Sequence, residues 1–432
     1  KVRQGSQSVA VGDKCAETGQ NSFSVAMGYH AGQSYQGTES IAIGYVAGEL
    51  SQNASSVAIG SNAGQSYQGT QCVSMGDNSA EYNQSNQSVA VGYQSGQINQ
   101  GTQSTSLGFQ SGMTSQGSQS VAIGLNAGQT QQKTQSVAVG YECGQTGQNN
   151  QSVAMGFQSG MTSQGSRSVA IGFHSGHITQ GSDSVAVGCE AGETDQERQC
   201  VAIGYLAAQS NQDQQSIAIG TKAGQCSQGS SSVAIGVQAG HVGQNAWSTA
   251  VGWACGEYRQ GEYASAYGFG AAQVDQGLRS TALGYGCGRY VQGAGSVAVG
   301  HDCGYSSQGV ECVAVGRAAG GEGQNNYSVA IGYQCGGFAQ GTQCVAIGYE
   351  AGRTGQNNQS VAMGHQSGRN AQASQCIAIG FQAAINDQKF QSVAIGYTAG
   401  ANYQNNTAVA IGIAAGKDYQ GAGCTHVGFG SG

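Results

Sequence analysis

Short stretches in which apolar residues alternate with small residues recur along the whole chain. The first contains Val9 and Val11 and the second Val25 and Met27, each pair separated by alanine and followed by glycine. An alternation with a period of two residues is typical of β-strands, and glycine commonly marks the turn that follows. The pattern therefore predicts many short strands, the first from about Ser8 to Gly12.

The strands belong to a repeat of 16 residues that contains no insertion or deletion. Glutamine recurs from Gln4 to Gln420 and glycine from Gly12 to Gly428, so the 432 residues comprise 27 copies of 16. We number the repeat positions 1 to 16 from Lys1, which puts this glutamine at position 4 and the strand at positions 8 to 12. A repeat this short cannot contain a helical hairpin and has the size of one coil of a β-solenoid.

We expect an all-β fold, a parallel β-solenoid of 27 sixteen-residue coils in a single uninterrupted array over residues 1–432. Each coil should contain two short strands: the apolar strand and a second around residues 13 to 17, before a turn at Gln20 and Asn21. Strands of successive coils would pair in parallel at ~4.8 Å, so that each repeat position forms a column.

The apolar residues at positions 9 and 11 are predicted to stack into two columns that form the core. Representative members are Val121, Ile123, Val137, Val139, Val345 and Ile347. The reverse orientation stays open, with Val and Ile outside and the small residues of the same strand inside. In either case the outer surface is a uniform stripe that suits an identical partner, and cyclic symmetry would limit the assembly.

Position 4 is predicted to form a column of buried glutamines that satisfies the backbone of the turn, because a primary amide both donates and accepts hydrogen bonds. Its members include Gln20, Gln36, Gln116, Gln132, Gln356 and Gln420. The next residue is usually Gly or Asn, which adopt positive φ most readily. A left-handed turn is therefore expected at Gly37, Gly117, Asn149 and Asn357.

Composition narrows the class of protein. The chain has 75 glycines, no proline, 9% charged residues and a formal net charge of -7. A collagen-like chain is excluded, and without a basic patch no nucleic-acid partner is expected. No apolar run is long enough to predict membrane insertion. Twelve of the 14 cysteines stand at positions 8 and 15, where Ser or Ala is otherwise found, so buried thiols are expected rather than zinc ligands.

The sequences SVAIG at residues 120 to 124, SVAVG at 136 to 140 and SVAMG at 152 to 156 resemble the head repeats of trimeric autotransporter adhesins of the YadA type. The resemblance extends over the whole chain. It implies a left-handed parallel β-roll, three chains packed side by side, display outside the cell and a role in attachment. The repeat of that family is usually shorter, and this sequence lacks the heptad pattern of a coiled-coil stalk. Unpaired thiols suit assembly in a reducing cytoplasm, as for a virion fibre.

Catalytic chemistry is not predicted, and no cofactor is expected. The 22 acidic residues do not recur as facing pairs, and no Ser-His-Asp or Cys-His arrangement stands out from the structural repeat. His174 and His177, in the sequence HSGH, could share a metal ion. A surface turn explains them better, so no metal site is expected.

An aromatic residue follows the strand glycine, at position 13, in 16 of the 27 copies. Stacked rings would shield the coil edge or a contact between chains, whereas exposed rings would offer a track for a glycan or protein partner. Members of this aromatic column are Tyr29, Tyr45, Phe109, Tyr141, Phe157, Phe173, Trp253, Tyr333 and Tyr349.

These features favour a non-enzymatic structural and adhesive fibre segment, a rigid rod on a cell or virion surface. Its expected partners are copies of itself, in a homotrimer, and a glycan or surface receptor. A filament subunit that stacks end to end is the alternative, because no copy at either end departs from the repeat. An ice-binding solenoid would need a regular threonine column, and Thr105, Thr249 and Thr281 are scattered. A last hypothesis puts the active domain outside this segment.

Overall fold

The computed structural model describes residues 4–432, so residues 1–3 of the predicted array lie outside the described residues. The chain is an all-β parallel solenoid of about 26 coils, each about 16 residues long. Within residues 4–432 no helix is long and apolar enough to cross a membrane. The coils fall into two compact units, Lys1–Gln215 and Ser216–Gly432.

In both units the first strand of each coil covers positions 9 to 11 and pairs in parallel with its equivalent in the next coil. The register is strict, with Val121 opposite Val137 and Ile123 opposite Val139. The first strands of the first unit are Val9–Val11, Val25–Met27, Ile41–Ile43, Val57–Ile59, Val73–Met75, Val89–Val91, Thr105–Leu107, Val121–Ile123, Val137–Tyr141, Val153–Phe157, Val169–Ile171, Val185–Val187 and Val201–Ile203. Those of the second unit are Ile217–Ile219, Val233–Ile235, Thr249–Val251, Ser265–Tyr267, Thr281–Tyr285, Val297–His301, Val313–Arg317, Val329–Tyr333, Val345–Tyr349, Val361–Met363, Ile377–Ile379, Val393–Ile395, Val409–Ile411 and Thr425–Val427.

The second strand of a coil covers positions 2 to 4 and ends on the glutamine. In the first unit these strands are Ser66–Gln68, Tyr82–Gln84, Ile98–Gln100, Thr114–Gln116, Thr162–Gln164, Ile178–Gln180, Thr194–Gln196 and Ser210–Gln212. In the second unit they are Cys226–Gln228, Val242–Gln244, Tyr258–Gln260, Val274–Gln276, Tyr290–Gln292, Ser306–Gln308, Glu322–Gln324, Phe338–Gln340, Thr354–Gln356, Asn370–Gln372, Asn386–Gln388, Asn402–Gln404 and Asp418–Gln420. Isolated parallel bridges, such as that from Thr130 to Thr146, replace the strand in other coils.

The second strand begins later in the coil than predicted. Residues 13 to 16 form a turn, and pairing resumes at Thr18 and Gln20. In the following coil the backbone is left-handed at positions 14 and 16, with φ of 55° at His30 and 53° at Gly32. Residues in this conformation cannot continue a strand. The prediction of a strand at 13 to 17 is therefore wrong, and the small residues there belong to a tight corner.

Alanine, rather than Val or Ile, fills the space between the two sheets. Ala122 and Ala138 lie between the apolar residues of their strands and are fully buried. The predicted core residues face outward instead and remain half-buried: Val121, Ile123, Val137, Val139, Val345 and Ile347. The orientation is thus the reverse of the predicted core. At position 10, the close approach of the two short strands leaves room only for a side chain of about methyl size.

Three further columns complete the interior. Position 8 is serine in most coils, position 15 is small and position 4 is glutamine, as in Ser120, Ala127 and Gln132, which are all fully buried. The buried serine hydroxyls donate to backbone oxygens in the adjoining turn, as Ser40 Oγ does to Gly37 O at 2.6 Å. The interior is therefore narrow and partly polar, and its polar groups are directed at the backbone.

Candidate functional site

The position-4 glutamines are buried between the two sheets and connect them. Gln116 Nε2 donates to Thr105 O at 2.9 Å, and Gln132 Nε2 donates to Val121 O at 2.8 Å. Each acceptor is a backbone oxygen of the first strand of the same coil, eleven residues earlier in the chain. Gln116 Nε2 also lies 3.2 Å from Gln132 Oε1, so the amides form a column as well. One side chain thus stabilises both the contact between sheets and the stacking of coils.

The other predicted glutamines make the same link to the first strand, at 2.7 to 3.0 Å: Gln20 to Val9 O, Gln36 to Val25 O, Gln356 to Val345 O and Gln420 to Val409 O. The amide column itself is interrupted where a buried Oε1 atom has no hydrogen-bond partner, as at Gln36 and Gln164. Both of these glutamines still donate to the first strand. The hydrogen bond from each glutamine to the first strand is therefore more regular than the hydrogen bond between stacked glutamine amides.

The residues after the glutamines are not left-handed, which corrects the predicted turn. Gly37, Gly117, Asn149 and Asn357 lack positive φ, which occurs instead two residues later, with 57° at Gln119. A Cβ atom on Gly37 or Gly117 would overlap the backbone of the next coil. Position 5 is thus a point of close approach between coils, which explains why glycine is common there.

The outward side chains of the first sheet form a surface that we call the outer apolar face. It comprises positions 9 and 11 of each first strand and the position-13 residue that follows. No residue at position 9 or 11 is charged. Val137, Val139 and Tyr141 of one coil lie in register with Val153, Met155 and Phe157 of the next.

Both units present this face to solvent. In the first unit Met155 is 40% exposed and Phe157 is 41% exposed. In the second unit Ile331 is 37% exposed and Tyr349 is 45% exposed. Apolar side chains that remain this exposed in successive coils amount to a continuous patch, which is unusual on a protein surface without a partner.

The rings of the aromatic column stack on those of the neighbouring coils. The ring centroids of Tyr141 and Phe157 are 4.8 Å apart and their planes differ by 4°. All nine predicted members lie in such stacks, as these pairs show: Tyr29 with Tyr45, Tyr93 with Phe109, Phe157 with Phe173, Trp253 with Phe269, and Tyr333 with Tyr349. Histidine extends the stack, since His365 lies between Tyr349 and Phe381 at 4.9 Å from each. This histidine lies outside the predicted aromatic column, which contains only Tyr, Phe and Trp at position 13.

The cysteines form no disulfide among the described residues, and most are buried. Burial raises the pKa of the Cys143 thiol and raises the pKa of the Cys255 thiol to about 11. A thiol that stays protonated at neutral pH is a poor nucleophile and a poor metal ligand. These side chains therefore pack as small interior residues.

One cluster of residues that commonly bind metal ions lies in the first unit. The sequence motif HSGH indicates only its two histidines. The rings of His174 and His177 stack with centroids 4.6 Å apart. Glu193 joins them from the next coil, and one potential ligand atom of each residue lies within 4.8 Å of the others. Glu193 follows His177 by 16 residues and so occupies the same column. Comparing residues by repeat position, rather than by linear spacing, would have found it.

No protein-family model matches this chain, and no curated protein matches it either. The likeness to adhesin head repeats therefore remains a resemblance of short motifs.

Proposed function

We propose that this protein is a non-enzymatic structural fibre segment that associates with copies of itself through the outer apolar face. The observation that carries the proposal is the half-exposed surface formed by positions 9, 11 and 13 in both units, in which positions 9 and 11 carry no charge. Burial of positions 9 and 11 against an identical surface removes apolar area from water and buries no charge.

The area of the face is sufficient for a stable contact. With exposed fractions near 40%, as at Met155 and Phe157, two aliphatic side chains and one ring expose on the order of 150 Å² per coil. Roughly five or six coils then supply the ~800 Å² that one partner contributes to an interface of standard size. Each unit contains more coils than that, so the face supports extended lateral packing.

A homotrimer is the assembly that we favour. In an assembly with closed cyclic symmetry, each chain buries its uniform face against a neighbouring chain, and no free face is left for open-ended growth. The resemblance to trimeric adhesin heads points to the same number of chains. The alternative is a filament, which would form if the contacts were heterologous and did not close.

Adhesion is the second part of the proposal, with display on a cell or virion surface. Stacked, half-exposed rings such as Tyr141 and Phe157 cover one another's faces and present a row of apolar ring edges. Such surfaces suit the apolar faces of sugar rings or an apolar protein partner. An ice-binding role is not proposed, because outward positions 9 and 11 carry mainly Val, Ile and Met rather than a column of threonine.

The mass of the native particle, measured by multi-angle light scattering under reducing conditions, tests the proposal. We expect three times the chain mass of 43.5 kDa at every concentration. A mass that rises with concentration would support the filament. A stable monomer over the whole range would overturn self-association.

Paired variants locate the contact. Val139→Glu combined with Ile171→Glu puts charges on the outer apolar face in alternate coils, and we expect this variant to be monomeric. Gln103→Glu combined with Gln135→Glu adds the same charge at exposed position 7 and should leave the mass unchanged. Circular dichroism of both variants confirms folding. Equal masses for the two variants would place the contact elsewhere.

A further inference from the structure

The cluster of His174, His177 and Glu193 has the donor set of a transition-metal site. It lies at the corner between the first and second strands, outside the strand pairing of either sheet. All three residues are partly buried. Two imidazoles and one carboxylate form a donor combination that first-row divalent metals favour.

Hydrogen bonds along the column decide which nitrogen of His174 has a lone pair. Gln158 Nε2 donates to Glu142 Oε2 at 2.7 Å, which orients the Gln158 amide. Its Oε1 then lies 2.7 Å from His174 Nε2, so His174 must donate from that nitrogen. In the neutral ring Nδ1 therefore carries the lone pair. This kind of support for a histidine is common around metal sites.

The lone pair of His174 faces a carboxylate. His174 Nδ1 is 3.6 Å from Glu193 Oε1, too far for a good hydrogen bond. The other oxygen, Glu193 Oε2, accepts from Gln209 Nε2 at 2.9 Å. The carboxylate is thus held with one oxygen directed at a bare nitrogen, and a cation between them would satisfy both.

His177 supplies the second, independent observation. Its Nε2 atom is buried and has no hydrogen-bond partner. A buried ring nitrogen without a partner is therefore available in the cluster that His177 forms with His174 and Glu193.

We propose that His174, His177 and Glu193 bind one divalent first-row transition-metal ion, with Zn²⁺ as the representative ion. Metal bonds of ~2.0–2.1 Å place tetrahedral donors ~3.3 Å apart. The donors now lie within 4.8 Å of one another, so the stacked rings must tilt to converge. The corner allows this movement because no strand pairing depends on these side chains.

The same chain contains a matched cluster that lacks the second histidine. His30 Nδ1 lies 3.4 Å from Glu49 Oε1, and the spacing of 19 residues equals that between His174 and Glu193. Gln33 stands where His177 stands, and its amide donates to Glu17 Oε2 at 2.7 Å. This cluster should bind zinc weakly, because an amide is a poor ligand for it.

Zinc binding to the untagged protein, measured by competition with a chromophoric chelator, tests the proposal. We expect one tight site per chain and, with Co²⁺ as a probe, a visible absorption band typical of tetrahedral coordination. His177→Gln should weaken zinc binding at least about tenfold. It should also abolish the cobalt band.

Two further variants control for loss of folding and for adventitious binding. Gln33→His should raise the number of tight sites from one to two, since it completes the matched cluster. His241→Gln, which removes another position-1 histidine, should leave affinity unchanged. Equal zinc affinity for the wild type and His177→Gln, or no saturable site, would overturn the proposal.

Discussion

The nearest neighbour of most side chains in this protein is the residue of the same position one coil away. At a spacing of ~4.8 Å, two like charges repel by roughly 3 to 4 kcal/mol at an effective dielectric of 20. Charges are accordingly rare, and several pair along a column, as Arg167 does with Asp183 at 2.5 Å. A neutral amide such as Gln116 avoids this repulsion and still donates to the backbone. Glutamate at position 4 could not do both.

A buried thiol gives a prediction for pH. The pKa of Cys255 is raised from 9.0 to about 11 in the folded state, because burial disfavours the thiolate. Its contribution to stability is therefore complete below about pH 9 and is lost as the pH rises through about 11. Cys255→Ala, a residue common at position 15, should remove this dependence. We expect the difference in unfolding free energy between the two proteins to change by roughly 2 kcal/mol over that range.

The measurement is urea denaturation from pH 7 to 11.5 under reducing conditions. Taking the difference between the two proteins cancels the titration of the tyrosines and lysines. A difference that is constant with pH would contradict the raised pKa of Cys255.

Each first strand is apolar on both faces, and the size of the side chains decides which face is inside. Position 10 is alanine in nearly all copies, with Ser74, Ser106 and His426 as the exceptions. Position 11 varies among Val, Ile, Met, Leu and Tyr. A crowded interior restricts volume, whereas a half-exposed surface tolerates variation. Side-chain volume is therefore restricted on the alanine face of the strand, whereas the sequence pattern predicts the Val and Ile face as the core.

Adjacent positions of one strand test this orientation. Ala138→Leu adds volume to a fully buried site and should lower the free energy of unfolding by about 1 to 3 kcal/mol or more. Val139→Leu puts the same side chain on the outer apolar face, where Leu107 and Leu283 already stand. It should change stability by less than about 0.5 kcal/mol. Thermal and urea denaturation measure both; a larger effect at residue 139 would reverse the assignment.

At the scale of the whole molecule, stability is local and repeated, because each coil contacts mainly its neighbours. Removing one complete coil should therefore keep every column in register. Deletion of residues 121–136 joins Ser120 to Val137, which restores the sequence of a normal copy. We expect a folded protein whose circular dichroism spectrum and melting temperature are close to those of the wild type.

Deletion of residues 121–128 is the matched control, because half a coil shifts every following column by eight positions. The buried glutamines would then meet the glycines of position 12, and the apolar residues of positions 9 and 11 would meet the mostly polar positions 1 and 3, so we expect local unfolding and aggregation. Similar melting behaviour for the two deletions would show that register between coils contributes little.

The repeat is visible in the sequence because both strands recur at one spacing, and parallel pairing in register makes that spacing structural. Fold class, the first strand and the buried glutamines at Gln116 and Gln132 follow from it. The position of the second strand does not follow from the repeat. Residues with positive φ at positions 14 and 16 form a corner there, and the small residues of this segment allow a corner without predicting one. The left-handed residue is Gln119 rather than Gly117, because glycine at position 5 permits close approach between coils and does not mark positive φ.

The period, the fold class and the absence of charge at positions 9 and 11 were determined by the sequence alone, since each is a property of the pattern and needs no distance in the folded chain. The tertiary structure decided which face of the strand is buried. The strand pattern is apolar on both faces. The alanine face is the buried one because the two sheets lie too close together for valine between them. It also decided that Glu193 meets His174 and His177, because residues far apart in the chain become neighbours only when the coils stack.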